Sequence, residues 1–417
     1  MFAFVGTRLL SQSTGSVDPL NAPTALAMFF IALPIIWADR QRALRCARYN
    51  TLLLTVIAFS LLSVGWSDYP ILTLKRAILL VCISTAAFAI AIGIREFRSF
   101  HTTVFVFLLG LIIANIVFTF TNPEVAIEGD LGVKGLHSQK NLAGMIAMIA
   151  VLVSVSWLAN EKSFFGKLAG IAAVGLAAVF LFWSESKTSI ALCIVALLAL
   201  SVMSLLSKLG SVFAMGLLGF MFIAVSGVLL FSVWIDFNIE TALTIITGDA
   251  SLTGRDELWY FILGKIEQRP LLGYGYGAFW DIGEANDPLS KLEPGTWLGD
   301  IQAGIINHAH NGFLELALQV GMPAMVIATI AVIIRIASSM RVEKGAPGNF
   351  DHMMSHGLTG LMLIIYLIHN ITESSLVMRN SGLFMFVLLL SFVETARWVG
   401  RSSPLGSSIG SSQREFQ

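Results

Sequence analysis

The sequence predicts an all-α polytopic membrane protein of about eleven (ten to twelve) transmembrane helices, with one large outward loop that holds short helices. Three observations predict it. Hydrophobic residues make up 56% of the 417 positions and charged residues only 12%, with a mean hydropathy of +0.79. Soluble domains carry about 25% charged residues. The apolar residues fall in runs close to the ~20 residues needed to cross a bilayer. The series is interrupted once, over residues 235–311, by a polar, glycine-rich stretch.

In chain order the candidate spans are 20–38, 50–66, 74–94, 102–120, 141–159, 166–183, 187–206, 211–234, 312–334, 355–371 and 381–396. The apolar stretch 166–206 divides in two because Ser184-Glu185-Ser186-Lys187 would be costly at mid-membrane and suits a turn at its surface. The chain therefore reads as N-terminal spans (1–234), a loop (235–311), C-terminal spans (312–400) and a serine- and glycine-rich tail (401–417) expected to be disordered. No internal repeat is evident. Met1–Leu10 is too short for a cleaved signal peptide. Of the three cysteines, Cys82 and Cys193 sit in apolar runs and Cys46 in an arginine-rich loop, so no disulfide framework is expected. The 26 basic and 26 acidic residues cancel, which excludes the basic footprint a nucleic-acid partner requires.

Lysine and arginine set the sides. One set of alternate loops holds 15 of the 26 cations, from Arg40, Arg42, Arg45 and Arg48 through Arg95, Arg98, Lys162, Lys167, Lys208, Arg335, Arg341 and Lys344 to Arg397, Arg401 and Arg414. The other set holds 11, among them Lys140, Lys187, Arg255 and Arg379, in roughly twice the length of loop. The denser set is cytoplasmic, so the long loop faces outward.

Within that loop, Thr253 is suited to cap a helix, with Asp256 completing a capping box. Leu258, Trp259, Phe261, Ile262 and Ile266 follow at helical spacing until Pro270 and Gly273. Residues 254–268 are expected to form an amphipathic helix on the bilayer surface. Arg255 falls in its first turn, where free N–H groups favour an anion and a guanidinium can grip phosphate with two hydrogen bonds. A solvated surface arginine fits the local pattern equally well. Gly273-Tyr-Gly-Tyr-Gly277 follows a helix rather than a strand, so it reads as a flexible turn, not a dinucleotide loop.

His308 and His310 lie just before the next span. A neutral imidazole is the usual general base near pH 7, and His-x-His also suits a metal. The further ligands within reach, His137 and Glu315, are isolated in sequence, and both histidines could simply end a span. Asn311 is placed to orient the ring or a substrate hydroxyl. Lys140-Asn141 and Lys187 each start a span, and Glu373 and Arg379 flank a short outward loop. Their common side is the informative point: Lys140, Lys187, Arg255 and Arg379 would make a cationic pocket beside a histidine, suited to phosphates.

These motifs resemble the O-antigen ligase and Wzy-type polymerase superfamily. The resemblance rests on Thr-Gly-Arg-Asp-Glu-Leu-Trp (253–259), Arg-Pro-Leu-Leu-Gly-Tyr-Gly (269–275) and His-Ala-His-Asn-Gly-Phe-Leu-Glu (308–315) with Gly321. Trp66-Ser67-Asp68-Tyr69-Pro70, His137-Ser138-Gln139-Lys140-Asn141 and Ser184-Glu185-Ser186-Lys187-Thr188-Ser189 extend it over roughly residues 60–395. Within the superfamily the chain looks most like exopolysaccharide repeat-unit polymerases of Gram-negative bacteria.

The resemblance implies a GT-C-like glycosyltransferase of the bacterial inner membrane, with a periplasmic loop. Undecaprenyl-diphosphate-linked oligosaccharides would be donor and acceptor, and membrane lipid and a chain-length regulator or export complex would be partners. His310 matches the histidine that activates the acceptor hydroxyl, and Arg255 the arginine that holds the donor diphosphate. Lys187 stands where members often carry a second arginine, and Lys140, Asn141, His308, Asn311, Glu373 and Arg379 are further candidates for substrate contact. Gly321-Met-Pro-Ala324 departs from the usual Gly-x-x-Gly. Direct displacement would invert the anomeric centre. Asp-x-Asp is absent, the nearest pair being Glu128-Gly-Asp130, so no metal or other cofactor is expected. A ligase acting on lipid A–core or another acceptor, and an anionic-solute transporter, are the alternatives. A transporter should show internal repeats and broken helices at mid-membrane.

Overall fold

Small residues decide which helix sits at the centre. A computed structural model describes residues 21–94, 96–127, 132–209, 255–292, 295, 298–299, 306–339 and 350–401. Its helices are α1 (Asn21–Ala38), α2 (Arg40–Tyr49), α3 (Thr51–Leu62), α4 (Pro70–Gly93), α5 (Phe97–Thr121), α6 (Pro123–Ala126), α7 (Lys140–Asn160), α8 (Phe164–Trp183) and α9 (Lys187–Leu209). They continue with α10 (Arg255–Gln268), α11 (Gly312–Val320), α12 (Met322–Ser339), α13 (Phe350–Thr372) and α14 (Gly382–Arg401). Ala143, Gly144, Ala147, Ala150 and Ser154 line α7 and are all buried, so neighbouring helices approach closely. α7 packs on α5, α8, α9, α13 and α14, while α5, α8 and α12 keep much of their surface outward for lipid.

The fold is all-α; among the described residues the only β pairing is an isolated bridge, Ile127 with Val133. Among the described residues six helices are long and apolar enough to cross a membrane: α4, α5, α7, α8, α12 and α14. α1 and α2 form a pair bent by 104°, and three shorter apolar helices cover Thr51–Gly65, Lys187–Ala199 and Gly357–Thr372. Ten of the eleven sequence-derived spans thus have a helix, and the span 211–234 lies outside the described residues, as do the tail beyond Arg401 and Thr253 with its capping box.

Two expectations are corrected. The arginine-rich loop is a helix, α2, with Cys46 buried against its neighbours. The span 312–334 is two helices, broken at Gly321, where the backbone turns to a φ of 95° and Met322 N–H donates to Pro270 O at 2.8 Å. α11, of 9 residues, buries Glu315 and Gln319, and of the two helices only α12 is long and apolar enough to cross a membrane.

Hydrogen bonds sort helix ends into two faces. On one, the buried Arg42 donates to Ile92 O and Ile94 O at the end of α4 and to Ala396 O of α14 (2.9–3.3 Å). On the other, the loop that carries α10 and α11 meets residues 63–76, α7 and the 373–379 turn. Arg335, which donates to Thr395 Oγ1, and Arg397, whose guanidinium lies over the Phe97 ring, join Arg42 at the first face.

Arg42→Leu is expected to cost roughly 2–3 kcal/mol, because it strands carbonyls at two helix C-termini. Thermal unfolding of the detergent-solubilised protein measures this. Arg48→Leu, at an exposed position of the same helix, should leave the midpoint unchanged.

Candidate functional site: a histidine turn between two buried carboxylates

The glycine stretch 273–277 is a buried strap rather than a flexible turn, which corrects the reading from sequence. Gly273, Gly275 and Gly277 adopt φ values of 65°, 102° and 70°. Tyr274 and Gly275 N–H groups donate to Leu318 O and Gln319 O at 3.0 and 2.8 Å, and Gly277 N–H donates to Gln319 Oε1 at 2.8 Å. Arg76 of α4 donates to the carbonyls of Gly277, Trp280 and Asp281. Tyr276 N–H reaches Ser63 Oγ, while its hydroxyl donates to Val377 O and accepts from Arg379 N–H. The strap thereby ties the loop to α4, α11 and the turn after α13. Burial pushes the Tyr276 hydroxyl up to about 12, so it stays a neutral donor.

α10 packs its Leu258, Ile262 and Ile266 stripe against Phe279, Trp280 and α11. That stripe meets protein, not lipid, which corrects the surface-helix reading; Tyr260 and Leu263 point outward. Trp259 indole N–H donates to Ala309 O at 2.9 Å. Ala309 N–H donates to Glu315 Oε2 at 2.6 Å, and the same carboxylate accepts from Trp280 Nε1 at 3.1 Å and from Gln319 Nε2. The peptide between His308 and His310 is therefore held at both its N–H and its C=O. Burial raises the Glu315 carboxyl above its usual range, partly offset by His308 and by the donors from Ala309, Gln319 and Trp280.

The second carboxylate is Glu373, just past α13. Its Oε2 stands 3.8 Å from His308 Nε2 and 3.6 Å from His310 Nδ1. Asn141 Nδ2 donates to its Oε1 at 3.0 Å. The two imidazoles are tilted, with centroids 4.0 Å apart, and His308 Nδ1 contacts Asn307 Oδ1 at 2.6 Å. Burial alone would raise the Glu373 carboxyl, but His308 and His310 pull it well below the usual range. His310 holds a left-handed φ of 49° and Val377, nearby in chain to Glu373, one of 57°. Such conformations cost of order 1–3 kcal/mol each and collect at functional sites. Gly312 allows the approach: a Cβ there would lie 1.8 Å from Asn370 Oδ1 of α13.

The structure joins four of the sequence-derived candidates: Asn141, His308, His310 and Glu373. The carboxylate grouped with both imidazoles at ligand distance is Glu373 rather than Glu315, and His137, itself buried, is not in that group. Lys140 and Lys187 are the first residues of α7 and α9. The tips of these helices touch, since a Cβ on Gly144 would lie 2.4 Å from Ser186 Cβ. Asn311 caps α11, accepting from Phe313 and Leu314 N–H and donating to Ile371 O. Arg379 makes its contacts with the strap and Tyr276 rather than with the histidines. Arg255 starts α10, one turn before Trp259; its side chain lies outside the described residues. Sequence reading passed over Trp280 and Gln319, took Trp259 only as part of the apolar stripe, and counted Arg76 only as an outward cation. Glu315 and Gln319, one turn apart in a supposed span, were the available signal.

The family model described as O-antigen ligase matches residues 172–329. The exopolysaccharide production protein ExoQ of Rhizobium meliloti (strain 1021) is 22% identical over 346 residues, covering 81% of this chain and 76% of that protein.

Glu315→Leu should strand the Ala309 and Trp280 donors, at roughly 1–3 kcal/mol for each. A lowered unfolding midpoint, with faster proteolysis inside 255–311 than in the helices, is the expected result.

Proposed function

We propose that the chain is a member of the O-antigen ligase and Wzy-type superfamily and acts as an inner-membrane polymerase of lipid-linked oligosaccharide repeat units, a reading supported by the family model over residues 172–329 and by the likeness to an exopolysaccharide production protein. The observation that carries this reading is the histidine turn, with Glu373 and Asn141 behind it, at the end of the bundle where α7 and α9 begin with Lys140 and Lys187. In this reading the loop is periplasmic, and the substrates are saccharides on undecaprenyl diphosphate.

A carboxylate opposite His310 Nδ1 favours the tautomer protonated there, which leaves Nε2 with its lone pair. That nitrogen takes the proton of the acceptor hydroxyl. The hydroxyl oxygen bonds to the anomeric carbon of the donor sugar as the carbon–oxygen bond to diphosphate breaks, with inversion. Arg255, Lys187 and Lys140 stabilise the charge that develops on the leaving diphosphate, so the reaction needs no metal. Each preorganised contact of this kind is worth roughly 3–4 kcal/mol. A chain-length regulator or export complex would receive the product.

A ligase with a different acceptor remains the second reading, because the matching family model carries that description. Product analysis separates the two. Purified protein given one defined lipid-linked oligosaccharide should yield longer lipid-linked chains. A strict need for a second, unlike acceptor would instead make it a ligase.

His310→Ala is expected to lower polymer formation by about 10²–10⁴-fold with insertion unchanged, and a normal chain-length distribution would remove its role as base. Arg255→Lys keeps the charge but loses the two-pronged grip. It should impair turnover as well, and wild-type rates would argue against bidentate phosphate binding.

A further inference from the structure

His308 Nε2, His310 Nδ1 and a Glu373 oxygen all lie within 4.8 Å of one another. We propose that these three side chains form a binding site for a divalent ion of the Zn2+ class, and that filling it silences the enzyme. The binding half stands on geometry alone; the silencing half rests on the reading of His310 as base.

The separations fit an ion better than direct contact. At 3.8 and 3.6 Å, the imidazole nitrogens stand farther from Glu373 Oε2 than the 2.7–2.9 Å or so of a tight charge-assisted hydrogen bond. Two donors bound at about 2.0–2.1 Å to a tetrahedral ion stand about 3.3 Å apart. The two imidazole donors lie within 4.8 Å of each other, so ring rotation must draw them together by up to about 1.5 Å.

Two of the three donors are also aimed from behind. Asn307 Oδ1 contacts His308 Nδ1 at 2.6 Å. An amide oxygen only accepts, so Nδ1 is the donor there and Nε2 is the ring nitrogen left toward Glu373, the one an ion would take. Asn141 occupies Glu373 Oε1, which turns Oε2 toward the histidines. Ligating histidines and carboxylates carry this outer shell of hydrogen bonds. Two imidazoles and one carboxylate suit Zn2+, whereas Mg2+ and Ca2+ take oxygen shells. His308 and His310 side chains are 14% and 29% exposed, so an ion can enter and keep a solvent ligand.

Silencing follows from the tautomer. An ion bound to His310 Nδ1 moves the ring proton to Nε2, the nitrogen that must accept a proton from the substrate. Lewis-acid chemistry is not required of the ion, and its removal restores the base.

Co2+, whose visible absorption reports its coordination, is the direct probe on the full chain in detergent. One equivalent should bind, be displaced by Zn2+, and fail to bind to His308→Ala or Glu373→Gln. Asn307 is exposed and outside the inner shell, so Asn307→Ala guards against misfolding; its Co2+ affinity should fall about 10–100-fold. Zn2+ should stop polymer formation over the concentration range that displaces Co2+, and chelator should restore it. Absent binding, or equal binding in all three variants, overturns the site. Binding with full polymerisation at saturating Zn2+ keeps the site and overturns both silencing and the base. A rate that rises with Zn2+ overturns silencing by making the ion a cofactor.

Discussion

The peptide unit of Ala309 is the fixed point of the molecule. Its N–H is taken by a buried carboxylate, Glu315, and its C=O by the indole of Trp259. A buried acceptor with three donors is costly to disturb, since each donor left unpaired costs roughly 1–3 kcal/mol. The flanking residues of that peptide are His308 and His310, so their rings inherit its position. His310 is also held at a positive φ, a conformation that persists only where surroundings impose it. Positional precision is therefore built beneath the imidazoles, with Glu373 and Asn141 behind them.

The strap explains how a loop can supply such precision. Arg76 holds three carbonyls between Gly277 and Asp281, and Trp280 in the same stretch donates to Glu315. A continuous path of hydrogen bonds thus runs from α4, through the strap, to the histidine turn. Tyr276 extends it to the turn holding Glu373 by bonding Val377 and Arg379. The two carboxylates that flank the histidines, Glu315 and Glu373, are anchored to the same strap, and the helices are the rigid frame against which it is set.

The spans were legible in the sequence because bilayer thickness imposes a length scale that apolar runs report directly. The one misplaced boundary, 312–334, arose where α11 and α12 continue one apolar run although the chain breaks at Gly321. Hydropathy averages Glu315 and Gln319 away, while burial makes them decisive. The pairing of His308 and His310 with Glu373 was not readable, because proximity between an outward loop and a distant turn has no periodic signature. Asn311 was readable as a cap, being an asparagine directly before a helical run, but its place beside His310 suggested chemistry instead. Arg42 belonged to a stretch that was read for its charge alone, which concealed its local helix.

Helix dipoles sharpen the functional reading. Lys140 and Lys187 are the first residues of α7 and α9, and neither first turn contains an acid. A cation at a helix N-terminus is opposed by the partial positive charge there, by about 0.3–1 kcal/mol. α7 adds unfilled capacity, because its N-cap residue Gln139 makes no side-chain hydrogen bond to the helix. The two helix tips are in contact, so the unfavourable terms add at one place. Like charges and aligned N–H groups gathered in this way lower the energy of an anion placed among them and raise the energy of the empty site. In the reading proposed above, a diphosphate bound there would turn the arrangement from a cost to a gain, most of all as the leaving group takes on its full charge, and binding of that kind accelerates bond breaking rather than merely holding a substrate.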